Sequence, residues 1–310
     1  MSKHPSLRKF FFIVSGLAVL LLLAGISAWL VIHRHNGSLV SSGETRHYLL
    51  YVPKSYDPAQ PVPLVITFHG FASWPAHQAR ISGWNDLAEE EGFVVVYPMG
   101  RKFPLRWNVN STPEAAADEV LFTAELIEKL KSQYNIDPQR IYVNGFSNGG
   151  GMSDVLACEL SDRIAAVGTV SGAYLYPREA CAPQRPMPMM TFHGTEDPVV
   201  PYLGGNSGPF EEQTFPLIAD WVNWWAEENA CSAGQPIEVS AQAAQGGVSG
   251  VIYGDCAAGV EVIFYSIAGA GHSWSGGKPM PRWVVGETTD AIDTTAELWT
   301  FFQRHPLPAD

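Results

Sequence analysis

The sequence predicts an α/β fold, with a mostly parallel sheet that helices cover on both faces. Two observations support this prediction. The chain contains short apolar runs, such as residues 62–68 (VPLVITF) and 93–97 (FVVVY), which are typical of strands buried on both faces. These runs alternate with helical segments, and that alternation is typical of a parallel sheet. We expect one domain over residues 38–310, because no linker-like tract interrupts it.

Strands are predicted from short length and from β-branched, aromatic or apolar content. In chain order they span residues 45–52, 62–68, 93–97, 140–143, 164–170, 187–192 and 260–267. Helices are predicted over residues 83–91, 118–134, 152–160, 215–228 and 291–304. The second of these has the clearest apolar face, formed by Val120, Leu121, Ala124, Ile127 and Leu130.

The N-terminal segment, residues 1–36, is predicted to lie outside this domain. Residues 10–32 form an uncharged, mostly apolar run of 23 residues, long enough to span a bilayer as a helix. Three basic residues precede the run and Arg34 follows it, so the positive-inside rule predicts export of the remainder. A signal peptide and a permanent anchor both fit. We favour an uncleaved anchor, because the run exceeds the roughly 7–15 residues of a signal-peptide core and no clean cleavage site follows.

The charge of the chain excludes several classes of partner. The formal charge is −12, and residues 1–36 hold four of the 19 basic residues and none of the 31 acidic ones. The exported part therefore carries −16, which disfavours nucleic acid and anionic lipid as partners. The histidines do not cluster and no Cys-x-x-Cys pair occurs, so we expect neither a metal nor a cofactor.

Four cysteines, an even number, are consistent with disulfide bonds in an oxidising compartment. They allow three connectivities. We predict Cys158–Cys181 and Cys231–Cys256, each of which closes a loop of a few tens of residues.

A candidate nucleophile is Ser147, in the motif G-x-S-x-G over residues 145–149. The motif alone is weak, because short patterns match by chance. Its context strengthens it, since a predicted strand precedes it and a predicted helix follows it, as a nucleophile elbow requires. The surrounding glycines let the chain turn tightly and leave one hydroxyl exposed.

A serine hydroxyl needs a base to take its proton and an acid to orient that base. Of the histidines after the serine, His305 follows the last helix, and His193 ends a strand but would need its acid after it, against the chain order Ser, acid, His. His272, in a glycine-rich loop after a predicted strand, is the best base. Glu196 and Asp197, which follow another strand, are both candidates for the acid.

An oxyanion hole needs two backbone N–H donors close to the nucleophile. We expect one from Asn148, directly after the serine, and one from Phe71, in the loop after the strand over 62–68.

The segments GFSNGGGM, HGTEDPVVPY and GAGHSWSGG, in that order, resemble the polyhydroxybutyrate depolymerase-like esterases, which include feruloyl and acetylxylan esterases. The resemblance implies an α/β-hydrolase that acts on carboxylic esters. It also implies a Ser–His–Asp triad of Ser147, His272 and Asp197, which favours Asp197 over Glu196. The predicted cysteine pairing fits the same family.

The chain departs from many polymer depolymerases of this family at two cysteine positions, and Trp274-Ser275 stands where Trp-Pro is usual. Phe71 and Arg106 stand where those proteins have cysteines, which favours soluble or oligomeric esters over solid polymer. We expect Trp107 and Trp274 to contact substrate, because aromatic side chains bury large areas against ring-shaped ligands.

The sequence therefore predicts an exported serine carboxylic ester hydrolase that forms an acyl-enzyme. It would be secreted, periplasmic or held in the membrane by residues 10–32. A cell-envelope acyltransferase, a peptidase of the same fold and a binding module without activity are the alternatives.

Overall fold

The computed structural model describes residues 32–109, 112–207 and 210–308. The predicted anchor over residues 10–32 lies outside these ranges apart from its last residue. In the part of the chain that is described, no helix combines the length and the apolar character needed to cross a membrane.

The strands form one large sheet and one small one. Those of the large sheet are β1 (Gly37–Ser41), β2 (Glu44–Tyr51), β3 (Val62–Phe68), β4 (Val94–Pro98), β5 (Ile136–Phe146), β6 (Ala166–Val170), β7 (Met189–Gly194), β10 (Gln235–Ile237), β11 (Val248–Tyr253) and β12 (Val262–Ile267). Their order is β1-β2-β4-β3-β5-β6-β7-β12-β11-β10. The small sheet pairs β8 (Gly205–Ser207) with β9 (Phe210–Phe215).

The centre of the large sheet is parallel and its edges are antiparallel. The strands from β4 through β3, β5, β6 and β7 to β12 pair in parallel. The edge strands β1, β2, β11 and β10 pair antiparallel with their neighbours. In a parallel sheet the loops after the strands share one edge, which is where ligands bind in such folds.

The helices connect these strands. They are α1 (Pro75–Ser82), α2 (Trp84–Glu91), α3 (Pro113–Gln133), α4 (Asn148–Glu159), α5 (Ile218–Glu228), α6 (Ala241–Gln245), α7 (Arg282–Val285) and α8 (Thr294–Arg304). Their ends follow ordinary capping chemistry. The side chain of Asp293 accepts from two backbone amides at the start of α8, and the left-handed Gly92 ends α2.

Two hydrophobic cores cover the two faces of the sheet. All seven residues of β3 are buried, and they alternate between the cores. Leu64 and Ile66 belong to one cluster and Val65 to the other. Each fully buried aliphatic side chain of this kind stabilises the fold by roughly 1.5–3 kcal/mol. The continuous apolar run that predicted this strand is therefore explained by burial on both sides.

The predicted α/β architecture is confirmed, and the differences concern the ends of elements and several short elements that were not predicted. Helix α4 begins at Asn148 rather than at residue 152, because tertiary packing overrides the low helix propensity of three consecutive glycines. Helix α3 begins at Pro113, with Thr112 as its N-cap, five residues before the predicted start at Asp118. Strands β1 and β8 to β11 and helices α1, α6 and α7 were not predicted, because most of them are short and β11 is interrupted by Gly250.

Both disulfides are present in the predicted pairing. Cys158, near the end of α4, is bonded to Cys181, and Cys231 is bonded to Cys256. The first bond ties α4 to the segment that follows β6. The second ties the end of α5 to the loop between β11 and β12.

Candidate active site

Ser147 occupies a strained turn between the end of β5 and the start of α4. Its φ and ψ angles are 57° and −121°, a conformation that costs a non-glycine residue about 1–3 kcal/mol. Backbone hydrogen bonds hold it there. The Ser147 N–H donates to the Val170 carbonyl at 2.9 Å, and its carbonyl accepts from the amides of Gly151 and Ala173, each at 3.0 Å. The serine is therefore fixed by the surrounding fold rather than by its own preference.

The two glycines of the motif allow strand and helix to meet around this turn. A Cβ atom on Gly145 would lie 2.1 Å from the carbonyl oxygen of Gly149, and one on Gly149 would lie 2.2 Å from that of Phe68. Both contacts are with backbone atoms, so a side chain would force strand and helix apart. The chain needs glycine at both positions to bring Ser147 to the edge of the sheet.

Asp197 and His272 form a buried pair on loops that follow neighbouring strands, β7 and β12. His272 Nδ1 lies 2.7 Å from Asp197 Oδ2. The other carboxylate oxygen accepts from the backbone amides of Val199 and Val200, each at 2.8 Å. Burial alone would raise the pKa of Asp197, but the adjacent His272 and His193 outweigh it and hold that pKa below its ordinary value. Asp197 is therefore an ionised carboxylate that fixes the orientation of His272.

His193 contacts the same carboxylate. This contact was not predicted from the sequence. Its Nε2 lies 3.3 Å from Asp197 Oδ2 and 2.9 Å from the carbonyl oxygen of Val200. Because a carbonyl oxygen only accepts, Nε2 carries a proton. The signal available was the spacing, since His193 precedes Asp197 by four residues. Glu196, the alternative acid, is exposed.

The structure brings His272 close to the serine turn. The ring of His272 packs against the ring of Phe146, with centroids 4.7 Å apart. Within the described residues, no hydrogen bond joins the Ser147 hydroxyl to His272. Such bonds are often long in a free enzyme and shorten when substrate binds.

The loop after β3 lies against the serine. A Cβ on Gly70 would be 3.2 Å from the Cβ of Ser147. The backbone N–H of Gly100 donates to His69 Nε2 at 3.0 Å, so the proton is on Nδ1, which donates to the Gly70 carbonyl at 2.7 Å. Burial lowers the pKa of His69 to about 4, so this tautomer is neutral. Because a trans peptide is planar, fixing the Gly70 carbonyl directs the N–H of Phe71 to the opposite side.

Asn148 supplies the first backbone amide of α4, and first-turn amides have no acceptor within a helix. Its side chain also fixes the neighbouring loop. Asn148 Oδ1 accepts from the backbone N–H of Trp107 at 2.7 Å, and its amide nitrogen donates to the Trp107 carbonyl at 3.2 Å. Trp107 Nε1 in turn donates to the carbonyl of His69 at 2.8 Å. Hydrogen bonds through Trp107 thus link Asn148 to the loop that carries Phe71.

A pocket of about 270 Å³ opens beside the serine. Its walls include Phe71, Trp107, Ser147, Asn148, Leu175 and Phe215.

The two tryptophans that were predicted to contact substrate lie in different environments. Trp107 lines the pocket, whereas Trp274 is 1% exposed, donates from Nε1 to Thr295 Oγ1 at 2.9 Å and belongs to the second core. The expectation for Trp274 is therefore wrong, because packing in the core takes up its whole surface.

No group of three or more potential metal ligands occurs among the described residues. The candidate site consists of a serine in a strained turn, a buried Asp–His pair, two backbone amides and a pocket. This set can activate a hydroxyl and stabilise an oxyanion.

Comparison with known proteins gives a family. A sequence model described as esterase PHB depolymerase matches residues 46–203. Feruloyl esterase B of Piromyces equi is 32% identical over 242 residues, which is 75% of this chain and 44% of that protein. A bifunctional acetylxylan esterase/xylanase of Neocallimastix patriciarum is 34% identical over 52% of this chain and 22% of its own length. The chain thus spans less than half the length of either relative.

Among solved structures, the acetyl xylan esterase from Aspergillus awamori matches with a TM-score of 0.57 and 18% sequence identity. The match covers 76% of this chain and 93% of that one. At this identity the likeness concerns the fold, which is that of the α/β-hydrolases.

Proposed function

The chain belongs to the PHB depolymerase family of esterases, and from that membership we propose that it is a serine carboxylic ester hydrolase with Ser147 as nucleophile. The catalytic domain is residues 38–310. The observation that carries the proposal is the Asp197–His272 pair, buried beside a serine in a strained turn that faces a pocket. That arrangement has little structural purpose unless the hydroxyl reacts.

In the first half of the reaction, His272 Nε2 takes the proton of the Ser147 hydroxyl as Oγ attacks the ester carbonyl carbon. The carbonyl oxygen becomes an oxyanion that accepts from the N–H groups of Phe71 and Asn148. The positive end of the α4 dipole adds to this stabilisation. His272 then returns the proton to the alcohol oxygen as the C–O bond breaks, which leaves an acyl group on Ser147.

In the second half, His272 takes a proton from water as the water oxygen attacks the acyl carbonyl carbon, and it then gives that proton to Ser147 Oγ as the acyl–Oγ bond breaks and the carboxylic acid leaves. Asp197 holds Nδ1–H of His272, so that Nε2 faces the reacting atoms and the imidazolium is stabilised each time it forms. The two backbone amides on Asp197 Oδ1 and the histidines on Oδ2 leave the carboxylate little freedom to rotate. We expect this rigidity to favour one orientation of His272.

Two features support a location outside the cytosol. The apolar run over residues 10–32 fits a signal peptide or an anchor. The two disulfides fit an oxidising compartment, where such bonds persist. Membrane fractionation of the full chain, with and without a carbonate wash, would separate an anchored protein from a released one.

The test is a rate panel of short-chain 4-nitrophenyl esters, methyl ferulate, acetylated xylan and hydroxybutyrate oligomers. We expect Ser147→Ala to lower kcat by about 10⁴–10⁶-fold on every ester that the wild type cleaves. Ser132→Ala, in the last turn of α3, is the matched control and should keep full activity. A Ser147→Ala enzyme that retains a tenth of the rate would show that another residue is the nucleophile.

Acyl transfer uses the same groups with an alcohol in place of water. Adding methanol or glycerol to the assay and measuring the ratio of transfer product to acid tests this alternative. A ratio well above the molar ratio of alcohol to water would identify the protein as an acyltransferase.

A further inference from the structure

A second cavity adjoins the pocket that contains Ser147. It has a volume of about 330 Å³, within the range of small-molecule sites. Leu175 and Phe215 line both cavities, so the two share a wall. Aromatic residues line much of the second one, including Tyr176, Trp221 and Trp224. The catalytic steps proposed above use none of these three side chains.

Asp154 lines this cavity from the middle of α4 and is 4% exposed. Only one of its oxygens is engaged. Asp154 Oδ1 accepts from Trp221 Nε1 at 3.1 Å and from Trp225 Nε1 at 3.0 Å. Across the described part of the chain, Oδ2 has no hydrogen-bond partner. Burial raises the pKa of this carboxyl to about 7. Oδ2 is not sealed in the core but keeps access to the cavity, so it can accept a hydrogen bond from a ligand there.

Arg178 lines the same cavity and is half-buried. Its positive charge acts on Asp154, but the described residues give its guanidinium no ion pair or hydrogen bond. The cavity therefore offers an acceptor and a donor at once. A carboxylate ligand would be repelled by Asp154, and a cationic ligand by Arg178. A hydroxyl group both donates and accepts, so it suits the pair.

From this geometry we infer that the second cavity binds a neutral ring bearing hydroxyl groups, with Asp154 accepting from one hydroxyl and Arg178 donating to another. The aromatic walls at Tyr176 and Trp224 would cover the apolar faces of such a ring. The inference rests on the proposed function, because the ring is then the part of the ester that extends beyond the Ser147 pocket.

The kinetic test compares the acetyl ester of a ring that has no hydroxyls with that of a ring that carries them. These are cyclohexyl acetate and a monoacetate of methyl β-xylopyranoside, whose acetyl group is too small to reach the second cavity. At pH 8, where a carboxyl with a pKa of about 7 is mostly ionised, we expect Asp154→Asn to lower the ratio of kcat/KM for the sugar ester to that for the cyclohexyl ester by about tenfold or more, through loss of a charge-assisted hydrogen bond. The amide of this variant would keep an oxygen that accepts from both tryptophans. The Asp162→Asn control, at an exposed carboxylate just after α4, should leave the ratio unchanged.

Arg178→Gln is the second variant. It tests whether the cavity binds the hydroxylated ring even if Asp154→Asn does not fold. It should lower the same ratio several-fold. A ratio within twofold of wild type in each variant that folds overturns the inference while the proposed function stands. A wild-type enzyme that cleaves neither ester contradicts the proposed function instead.

A binding measurement gives a readout apart from turnover. In the Ser147→Ala protein, methyl β-xylopyranoside should produce a saturable change in tryptophan fluorescence, because Trp221 and Trp224 line the cavity. Adding Arg178→Gln should weaken that binding several-fold. Equal binding with and without Arg178→Gln, or no saturable signal at all, would contradict the proposed site.

Discussion

The raised pKa of Asp154 predicts an unusual dependence of stability on pH. The ordinary pKa of this carboxyl is 3.8, and burial raises it to about 7 in the folded protein. Between these two values the folded chain holds a proton that the unfolded chain has released. Stability from this group is therefore present at low pH and lost as the pH rises through 7. Carboxylates paired with cations usually have a lowered pKa, and the stability that they contribute is lost as the pH falls.

The magnitude follows from the size of the shift. A shift of about three pKa units corresponds to about 4 kcal/mol in the free energy of unfolding, at 1.36 kcal/mol per unit. About 2.5 kcal/mol of this loss falls between pH 5 and pH 7, where only the unfolded carboxyl is largely ionised. The substitution Asp154→Asn removes the ionisation and keeps an acceptor for the two tryptophans. The free energy of unfolding of the variant relative to wild type should therefore rise by about 2.5 kcal/mol from pH 5 to pH 7.

Urea unfolding of both proteins at pH 5, 6, 7 and 8, with the disulfides intact, measures this difference. Every other titrating group is common to the two proteins and cancels in the comparison. Asp162→Asn, at an exposed carboxylate, is the matched control. A difference for Asp154→Asn that does not change with pH would refute the reasoning, because Asp154 would then titrate alike in the folded and unfolded chains.

Three further predictions concern the site and its support. Asp197→Asn should lower kcat by on the order of 10⁴-fold, and combining it with His272→Ala should add little, because the two act as one unit; fully multiplicative losses among the four enzymes would mean separate roles. Gly149→Ala should destabilise the protein by several kcal/mol in urea unfolding, because its Cβ would lie 2.2 Å from a backbone oxygen, and an unchanged midpoint would contradict that contact. Replacing Cys231 and Cys256 by serine should lower the free energy of unfolding by roughly 3–4 kcal/mol, and a loss below 1 kcal/mol would indicate that the bond constrains the unfolded chain little.

The sequence predicted what depends on local pattern. The strand over residues 62–68 has the same bounds in the structure, because all seven of its residues are buried and six of them are apolar. The turn at Ser147 was predicted because strand, glycines, serine and helix are contiguous. The loop positions of Asp197 and His272 followed from strand ends and family resemblance, and their hydrogen bond fits the proposed role.

What the sequence did not predict depends on contacts between distant segments. Trp221 lies 67 residues after Asp154, so no local pattern indicates that its indole N–H reaches that carboxyl. His193 was set aside on chain order, although folding brings it to Asp197. Trp274 was predicted to contact substrate because aromatic side chains bury large areas against ring-shaped ligands, but its ring packs in the core. A sequence motif gives the position of a side chain along the chain and not the direction in which it packs.

Helix α4 carries three separate features along one rigid axis. Asn148 lies in its first turn at the serine, Asp154 faces the second cavity from its middle, and Cys158 anchors its far end through a disulfide. Each residue in a helix adds about 100° of rotation and 1.5 Å of rise. Inserting or deleting one residue between Asn148 and Asp154 would therefore turn the carboxyl away from its cavity and the cysteine away from its partner. We expect related sequences to differ within α4 by substitutions alone, and to contain insertions or deletions only in the loops beyond the helix.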